Sequence, residues 1–147
     1  MAVRRAAFIA AFGLFLAVPA PAHHSFAPYE QQLQLAMHGT VTGFEWTTPH
    51  IYIRLDAAGE DGEISNWLIE CASPQILNRV GWRWNMLEEG DQISVVVSPL
   101  RNGEPAALLK AVRLADGSEY NNGGPAGPAR IGFDGKPLAA AAAGGAR

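Results

Sequence analysis

The chain has 147 residues, 48% of them hydrophobic, and a formal net charge of −3 at pH 7. This length suits one domain and is too short for two ordinary ones. The acidic balance, without a cluster of Lys and Arg, argues against a nucleic-acid partner or an anionic membrane surface. Cys71 is the only cysteine, so an internal disulfide is excluded, and its apolar strand-like surroundings predict a buried thiol.

The first 22 residues have the three parts of an export signal. An Arg-Arg pair at positions 4–5 forms the basic start, residues 6–18 are apolar, and Ala-Pro-Ala at 20–22 matches the cleavage pattern. The apolar run is shorter than a membrane-spanning helix requires, and no second run follows. The sequence therefore predicts a signal peptide over residues 1–22 and a periplasmic or secreted mature protein without a membrane anchor.

The stretch GTVTGFEWTTPHIYIRL, residues 39–55, contains two strand patterns separated by a corner. Gly39 and Gly43 interrupt a β-branched run, and glycine within a strand pattern typically marks a bulge or a bend. Pro49 removes a backbone donor and favours an extended conformation in the residue before it. This pattern predicts a first strand that is bent at its glycines and a second strand that begins directly after the proline.

The second strand separates an aliphatic face from a polar face. Ile51, Ile53 and Leu55 alternate with polar residues, so His50, Tyr52 and Arg54 are expected on one face. If the second and third strands pair across the turn that joins them, Glu70 faces His50 or Tyr52. Tyr52, Arg54 and Glu70 then form a candidate ligand face, and an ordinary solvated strand face is the alternative.

The remaining elements follow in a regular order. A third strand at 64–71 leads to a short helix, which Ser73 caps, Pro74 begins and Gly81 ends. Trp82 and Trp84 follow it and are interpreted as packing under a loop rather than as a ligand platform. The other predicted strands lie at 33–46, 50–57, 93–97 and 107–114.

The order β-β-β-α-β-β is typical of an OB-like fold. We therefore predict a mainly β protein, a small five-stranded Greek-key barrel with one short helix between strands 3 and 4. An extended N-terminal arm is predicted at 23–32 and the barrel domain at 33–117. Residues 118–147 are rich in glycine, alanine and proline and are predicted to form a disordered tail.

Three motifs together resemble one known family: AHHSF directly after the signal, GTVTGFEWTTPHIYI, and SPQILNRVGW in the helix. The chain resembles small exported bacterial proteins catalogued as domain of unknown function 6152, over residues 23–117. Members of that family more often have Trp-Thr-Asn-Pro-His where this chain has Trp-Thr-Thr-Pro-His at 46–50. The change keeps the histidine and removes one turn-stabilising side chain. The resemblance implies no activity.

His23 and His24 would begin the mature protein if cleavage follows Ala22. His23 then offers an α-amine and an imidazole on one residue, and a third nitrogen from His50, His24 or His38 would complete an all-nitrogen site. Such a site suits copper best among the common divalent ions. His50 is the preferred third ligand because it lies at a rigid strand start.

Two interpretations of the histidine arm stay open. In the first, the protein is a binding or accessory domain that holds copper. In the second, the arm is structural, with Phe26 and Tyr29 filling a groove, and the domain is an interaction module for an unidentified envelope protein. No nucleophile motif or phosphate-binding glycine loop is present, so the sequence predicts no catalytic residues.

Overall fold

The computed structural model describes residues 26–59 and 62–138, so the predicted signal peptide, His23 and His24 lie outside the described residues. No helix within these ranges is long and apolar enough to cross a membrane. The described elements, in chain order, are β1 (Leu35–Glu45), β2 (Tyr52–Ala58), β3 (Ile64–Glu70), α1 (Pro74–Arg79), β4 (Gln92–Pro99), β5 (Ala106–Arg113), β6 (Glu119–Asn121) and a 3-10 turn (Gly124–Ala126).

Five strands close into a barrel. The order β3-β2-β1-β4-β5 is antiparallel throughout, and β3 then pairs in parallel with β5 from Leu68↔Ala106 to Glu70↔Leu108. Closure leaves these strands with hydrogen-bonding neighbours on both sides, which removes the exposed edges of an open sheet. The predicted mainly β, OB-like barrel of five strands, with its helix between strands 3 and 4, is confirmed.

The first strand is bent and belongs to both sides of the barrel. Its first half pairs with β4 and its second half with β2, and the register to β2 shifts between Val41 and Gly43. Gly39 lies so close to β2 that a Cβ there would be 2.2 Å from the carbonyl oxygen of Asp56. The predicted irregularity is therefore confirmed at Gly43, whereas Gly39 pairs in regular register and the close approach there excludes a side chain.

The aliphatic face predicted for the second strand lines the barrel core. Ile51, Ile53 and Leu55 are completely buried, and Cys71 is buried beside them as expected. Trp82 is also completely buried, and its indole Nε1 donates to the carbonyl of Asn121 at 3.0 Å. The expectation that both tryptophans pack is wrong for the second, since Trp84 is 70% exposed.

The folded domain continues beyond Gly117. Strand β6 pairs with β5, and the buried Asn122 accepts a hydrogen bond from the backbone N–H of Ala72 through Oδ1, at 2.7 Å. The predicted disordered tail is therefore wrong for residues 118–138, while residues 139–147 lie outside the described part. This segment has no apolar periodicity that would predict a strand. Hydrogen bonds of Asn121 and Asn122 attach it to the barrel instead.

The N-terminal arm covers the outer face of β5. Tyr29, Leu108 and Ala126 form a second apolar cluster, to which Phe26 adds its ring. Hydrogen-bonded turns at 26–29 and 30–33 fold this part of the arm back on itself. The described part of the arm is therefore turned rather than extended, and the groove-filling role considered for Phe26 and Tyr29 matches the observed packing.

Replacing Gly39 by alanine is expected to destabilise the protein by at least about 2 kcal/mol, because backbone atoms of β2 occupy the space that the Cβ needs. Gly43→Ala is the matched control, since its Cβ would meet only the Arg54 side chain at 3.4 Å. Its effect is expected to stay within about 0.5 kcal/mol. Urea unfolding of both variants checks this, and equal midpoints would contradict the close approach at Gly39.

Truncation after Gly117 is expected to cost at least about 3 kcal/mol, because it removes the acceptors of three donors in the fold, each worth about 1 kcal/mol or more. The lost acceptors are the carbonyl of Asn121, Oδ1 of Asn122 and the carbonyl of Ala126. Truncation after Leu138 keeps all three. Thermal unfolding of both shortened chains measures the difference, and similar midpoints would show that β6 contributes nothing to stability.

Candidate site at the His50–Glu70 corner

The loop between β1 and β2 brings His50 to the end of β3. A cis peptide bond joins Thr48 to Pro49 in this loop. Directly afterwards, Ile51 donates its N–H to the carbonyl of Ala72 at 3.3 Å and accepts from the N–H of Cys71 at 2.8 Å. These two backbone hydrogen bonds fix the position of His50 next to the last residues of β3.

The carboxylate of Glu70 is held by two ring side chains from distant parts of the chain. Nδ1 of His50 lies 2.6 Å from Oε1, and the Tyr29 hydroxyl donates to Oε2 at 2.7 Å. The side chains of His50 and Glu70 are 16% and 23% exposed, so the contact is partly shielded from water. Shielding strengthens such a contact relative to one on the open surface.

Tyr52 completes the cluster, because it lies opposite Glu70 in the β2–β3 register. Burial raises the pKa of Tyr52, and the nearby Glu70 carboxylate raises it further. Burial also raises the pKa of Tyr29 well above its ordinary value, and the hydrogen bond to Glu70 adds to that shift. The carboxylate thus favours the protonated form of both phenols.

Arg54 does not join this cluster. Its Nε lies 2.9 Å from Oε1 of Glu45, and the two side chains form an ion pair that is nearly half exposed. Of the three residues predicted as a ligand face, the structure places Tyr52 and Glu70 together with His50. The expectation that Glu70 faces His50 or Tyr52 is confirmed for both.

Tyr29 is the site residue that the sequence reasoning missed. It was considered only as a groove-filling ring, and its hydroxyl contacts a carboxylate 41 positions further along the chain. A tyrosine in an irregular arm has no periodic pattern that would predict this partner. The only available signal was that a docked arm must satisfy its buried hydroxyl.

The metal prediction is only partly covered by the described residues. Within 26–59 and 62–138, no group of three or more His, Cys, Asp and Glu side chains is arranged to hold a metal ion. His38 is exposed on β1, where Nδ1 lies 3.2 Å from the Ser94 hydroxyl. His23 and His24 lie outside the described residues, so a three-ligand site at His50 requires a contribution from upstream of Phe26.

Fold and site together define a small closed β-barrel domain with a histidine–glutamate–tyrosine cluster at one corner. The family model described as "Family of unknown function (DUF6152)" matches residues 13–109, more than half of the chain, and the chain belongs to this family. The resemblance stated from the sequence motifs is confirmed.

Comparison with proteins of curated function gave no match. Among solved structures, the chain is similar to the mitochondrial single-stranded DNA binding protein Rim1 from S. cerevisiae, with 16% identity and a TM-score of 0.42. That match covers 62% of this chain and 96% of the other. At this level of similarity nothing about a ligand follows.

Tyr29→Phe is expected to make stability less sensitive to alkaline pH. The folded-state pKa of Tyr29 lies above the unfolded value of about 10. The protonated hydroxyl therefore contributes fully to the free energy of unfolding below pH 10, and this contribution is lost as the pH rises further. At neutral pH the variant should lose about 1–2 kcal/mol with its hydrogen bond. Urea unfolding between pH 7 and 11 measures both effects, and parallel pH curves for the two proteins would contradict the assignment.

Proposed function

We propose that this protein is an exported domain, periplasmic or secreted, that binds copper through its mature N-terminus and His50. The export signal at residues 1–22 supports the location, and cleavage after Ala22 would place His23 at the terminus. The observation that carries the proposal is the Tyr29–Glu70 hydrogen bond, because it docks the arm on the carboxylate that also holds His50.

The contact between the His50 ring and the Glu70 carboxylate resembles the contact that many metal-binding histidines make through their other ring nitrogen. A metal-ligating imidazole commonly donates its other ring N–H to a carboxylate, which fixes the tautomer and raises the basicity of the ligand. Here Glu70 lies at Nδ1, so Nε2 is the nitrogen that a metal would take. Tyr29 in turn orients the second oxygen of the same carboxylate.

The arm is long enough for the mature N-terminus and His50 to bind one metal ion together. His23 lies three residues before Phe26, where the turn at 26–29 begins, and an extended chain spans about 3.3 Å per residue, which gives a reach of about 10 Å beyond that turn. Since Tyr29 is tethered at Glu70, the terminus can return to His50 without any change in the barrel. This tether favours His50 over His38 as the third ligand.

The nitrogen-rich ligand set favours copper. The α-amine has an ordinary pKa of about 7.7–8.0, and imidazole has one of about 6.5, so both are readily deprotonated near neutral pH. Three nitrogen donors bind Cu(II) more tightly than Ni(II) or Zn(II). Because protons compete for the same nitrogens, binding is expected to weaken as the pH falls through about 6.5.

Copper titration of protein purified with its native terminus tests the proposal. His50→Ala and a chain with one extra N-terminal residue should each bind at least about tenfold more weakly, since each loses a nitrogen of the chelate. His38→Ala is the matched control and should bind as the unaltered chain does. The one-residue extension leaves the barrel unchanged, so equal binding by all four proteins would overturn the copper site without any question of misfolding.

Intact-mass measurement of the exported protein tests the other half of the proposal. A mature chain that begins at His23 is expected. A chain that begins elsewhere would remove the amine–imidazole chelate, and a chain that retains Met1 would also refute export with cleavage.

A second function, an interaction module for an envelope protein, is favoured by the exposed apolar side chains. Trp84 is 70% exposed and Ile64 is 72% exposed. Large aromatic side chains are frequent anchors in protein interfaces. Trp84→Ala should then abolish cross-linking to a partner in the cell while copper titration is unchanged, whereas the one-residue N-terminal extension should leave cross-linking intact.

A further inference from the structure

Lys110 is a buried cation on the outer face of β5, on the same face as Leu108. It is 2% exposed, although lysine is almost never fully buried without a charged partner. Its Nζ donates to the carbonyl of Ala126, in the C-terminal segment, and to Oε1 of Gln31, in the arm, at 2.9 Å. No carboxylate of the described residues forms an ion pair with it.

Gln31, which contacts Lys110, has a buried donor without a hydrogen-bond partner in the described part of the chain. Its Oε1 accepts from Lys110, while its Nε2 is buried and has no hydrogen-bond partner within the described residues. Rotating the amide would turn its N–H₂ group toward the ammonium group, so the observed orientation is the favourable one. A buried N–H without a partner costs about 1–3 kcal/mol, which indicates a missing acceptor.

A cleft adjoins Lys110, the residue to which Gln31 is hydrogen-bonded. The cleft has a volume of about 320 Å³ and is lined by Lys110, Ala111, Asn121, Gly123, Gly124, Gly127, Pro128 and Ala129. None of its lining side chains is acidic. Glycines 123, 124 and 127, all at positive φ, keep the loop side of the cleft free of bulky side chains. The volume lies in the range of small-molecule sites and equals about ten waters, more than an inorganic ion needs.

The charge around the cleft is positive. Arg130 lies near enough to lower the pKa of Lys110, an effect that adds to the larger one of burial. Nη2 of Arg130 donates to the backbone carbonyls of Gln31 and Gln32 at 2.7 and 3.0 Å, so its guanidinium is fixed beside the arm. Lys110 therefore lines the cleft, Arg130 and the unsatisfied N–H of Gln31 lie near Lys110, and no acidic side chain is among the lining residues.

We propose that this cleft binds a small organic carboxylate, with Lys110 and Gln31 as the donors to its oxygens. A carboxylate accepts from an ammonium and from an amide N–H at once, which satisfies the orphaned Nε2 and compensates the buried charge. The remainder of the ligand occupies the loop side, along the three glycines. The site lies at Lys110 and Gln31 and does not depend on the copper proposal at His50.

Gln31→Glu is the decisive variant, because it places a carboxylate of the same shape directly at Lys110. The introduced carboxylate takes the place of the ligand carboxylate at Lys110. The buried lysine therefore keeps a partner and the fold is retained, while the ligand is excluded. Gln32→Glu makes the same change of charge on an exposed neighbour and is the matched control. Isothermal titration with acetate, succinate and inorganic phosphate, at constant ionic strength in chloride, compares both variants with the unaltered chain.

The expected result is saturable binding of acetate or succinate to the unaltered chain and to Gln32→Glu, with at least about tenfold weaker binding to Gln31→Glu. Gln31→Glu should also unfold at an equal or higher temperature than the unaltered chain. Equal carboxylate binding by Gln31→Glu, or binding by none of the three proteins, would overturn the proposal. Binding of phosphate but of neither carboxylate would overturn the assignment of the ligand class.

Discussion

The close approach of two strands at Gly39 is the constraint on which the barrel depends. Gly39 and Thr40 pair with β2 on one side and with β4 on the other, so one bent strand joins both halves of the sheet. A bend of this kind requires that no side chain intrudes between the backbones. The same strand leads directly into the loop that carries His50, and the sheet closes through the pairing of β3 with β5.

Barrel closure brings the candidate site together. The parallel pairing of β3 with β5 ends at Glu70↔Leu108, and the arm packs on Leu108 at that point. Tyr29 can therefore reach Glu70 from one side while His50 reaches it from the other. A single carboxylate thus joins the arm, the first loop and the barrel.

Two polar groups of opposite charge hold the same arm. Glu70 accepts a hydrogen bond from Tyr29 and contacts Nδ1 of His50, whereas Lys110 donates to Gln31 and to the C-terminal segment. The acidic group has its partners within the described chain, whereas the basic group lines a cleft and contacts Gln31, which has an unsatisfied N–H. This asymmetry distinguishes a position where the fold satisfies its own charge from one where it leaves room for a ligand.

The sequence by itself determined the barrel and part of the site. Alternation of apolar and polar residues predicts strands, and the residues around Pro49 and Ser73 predict a corner and a helix, since these signals depend on near neighbours. The same alternation put His50 and Tyr52 on one face, and pairing of adjacent strands brought Glu70 to them.

Only the tertiary structure decided how the two terminal segments contact the barrel. Tyr29 at Glu70, Asn122 at Ala72 and Lys110 at Gln31 each join the barrel to a segment without regular periodicity, over separations of 41 to 79 positions. The burial of Lys110 could not be read from a strand that looks amphipathic, because the covering segments lie far away in sequence. Such contacts depend on where the closed barrel places its outer face, and that placement has no local signature.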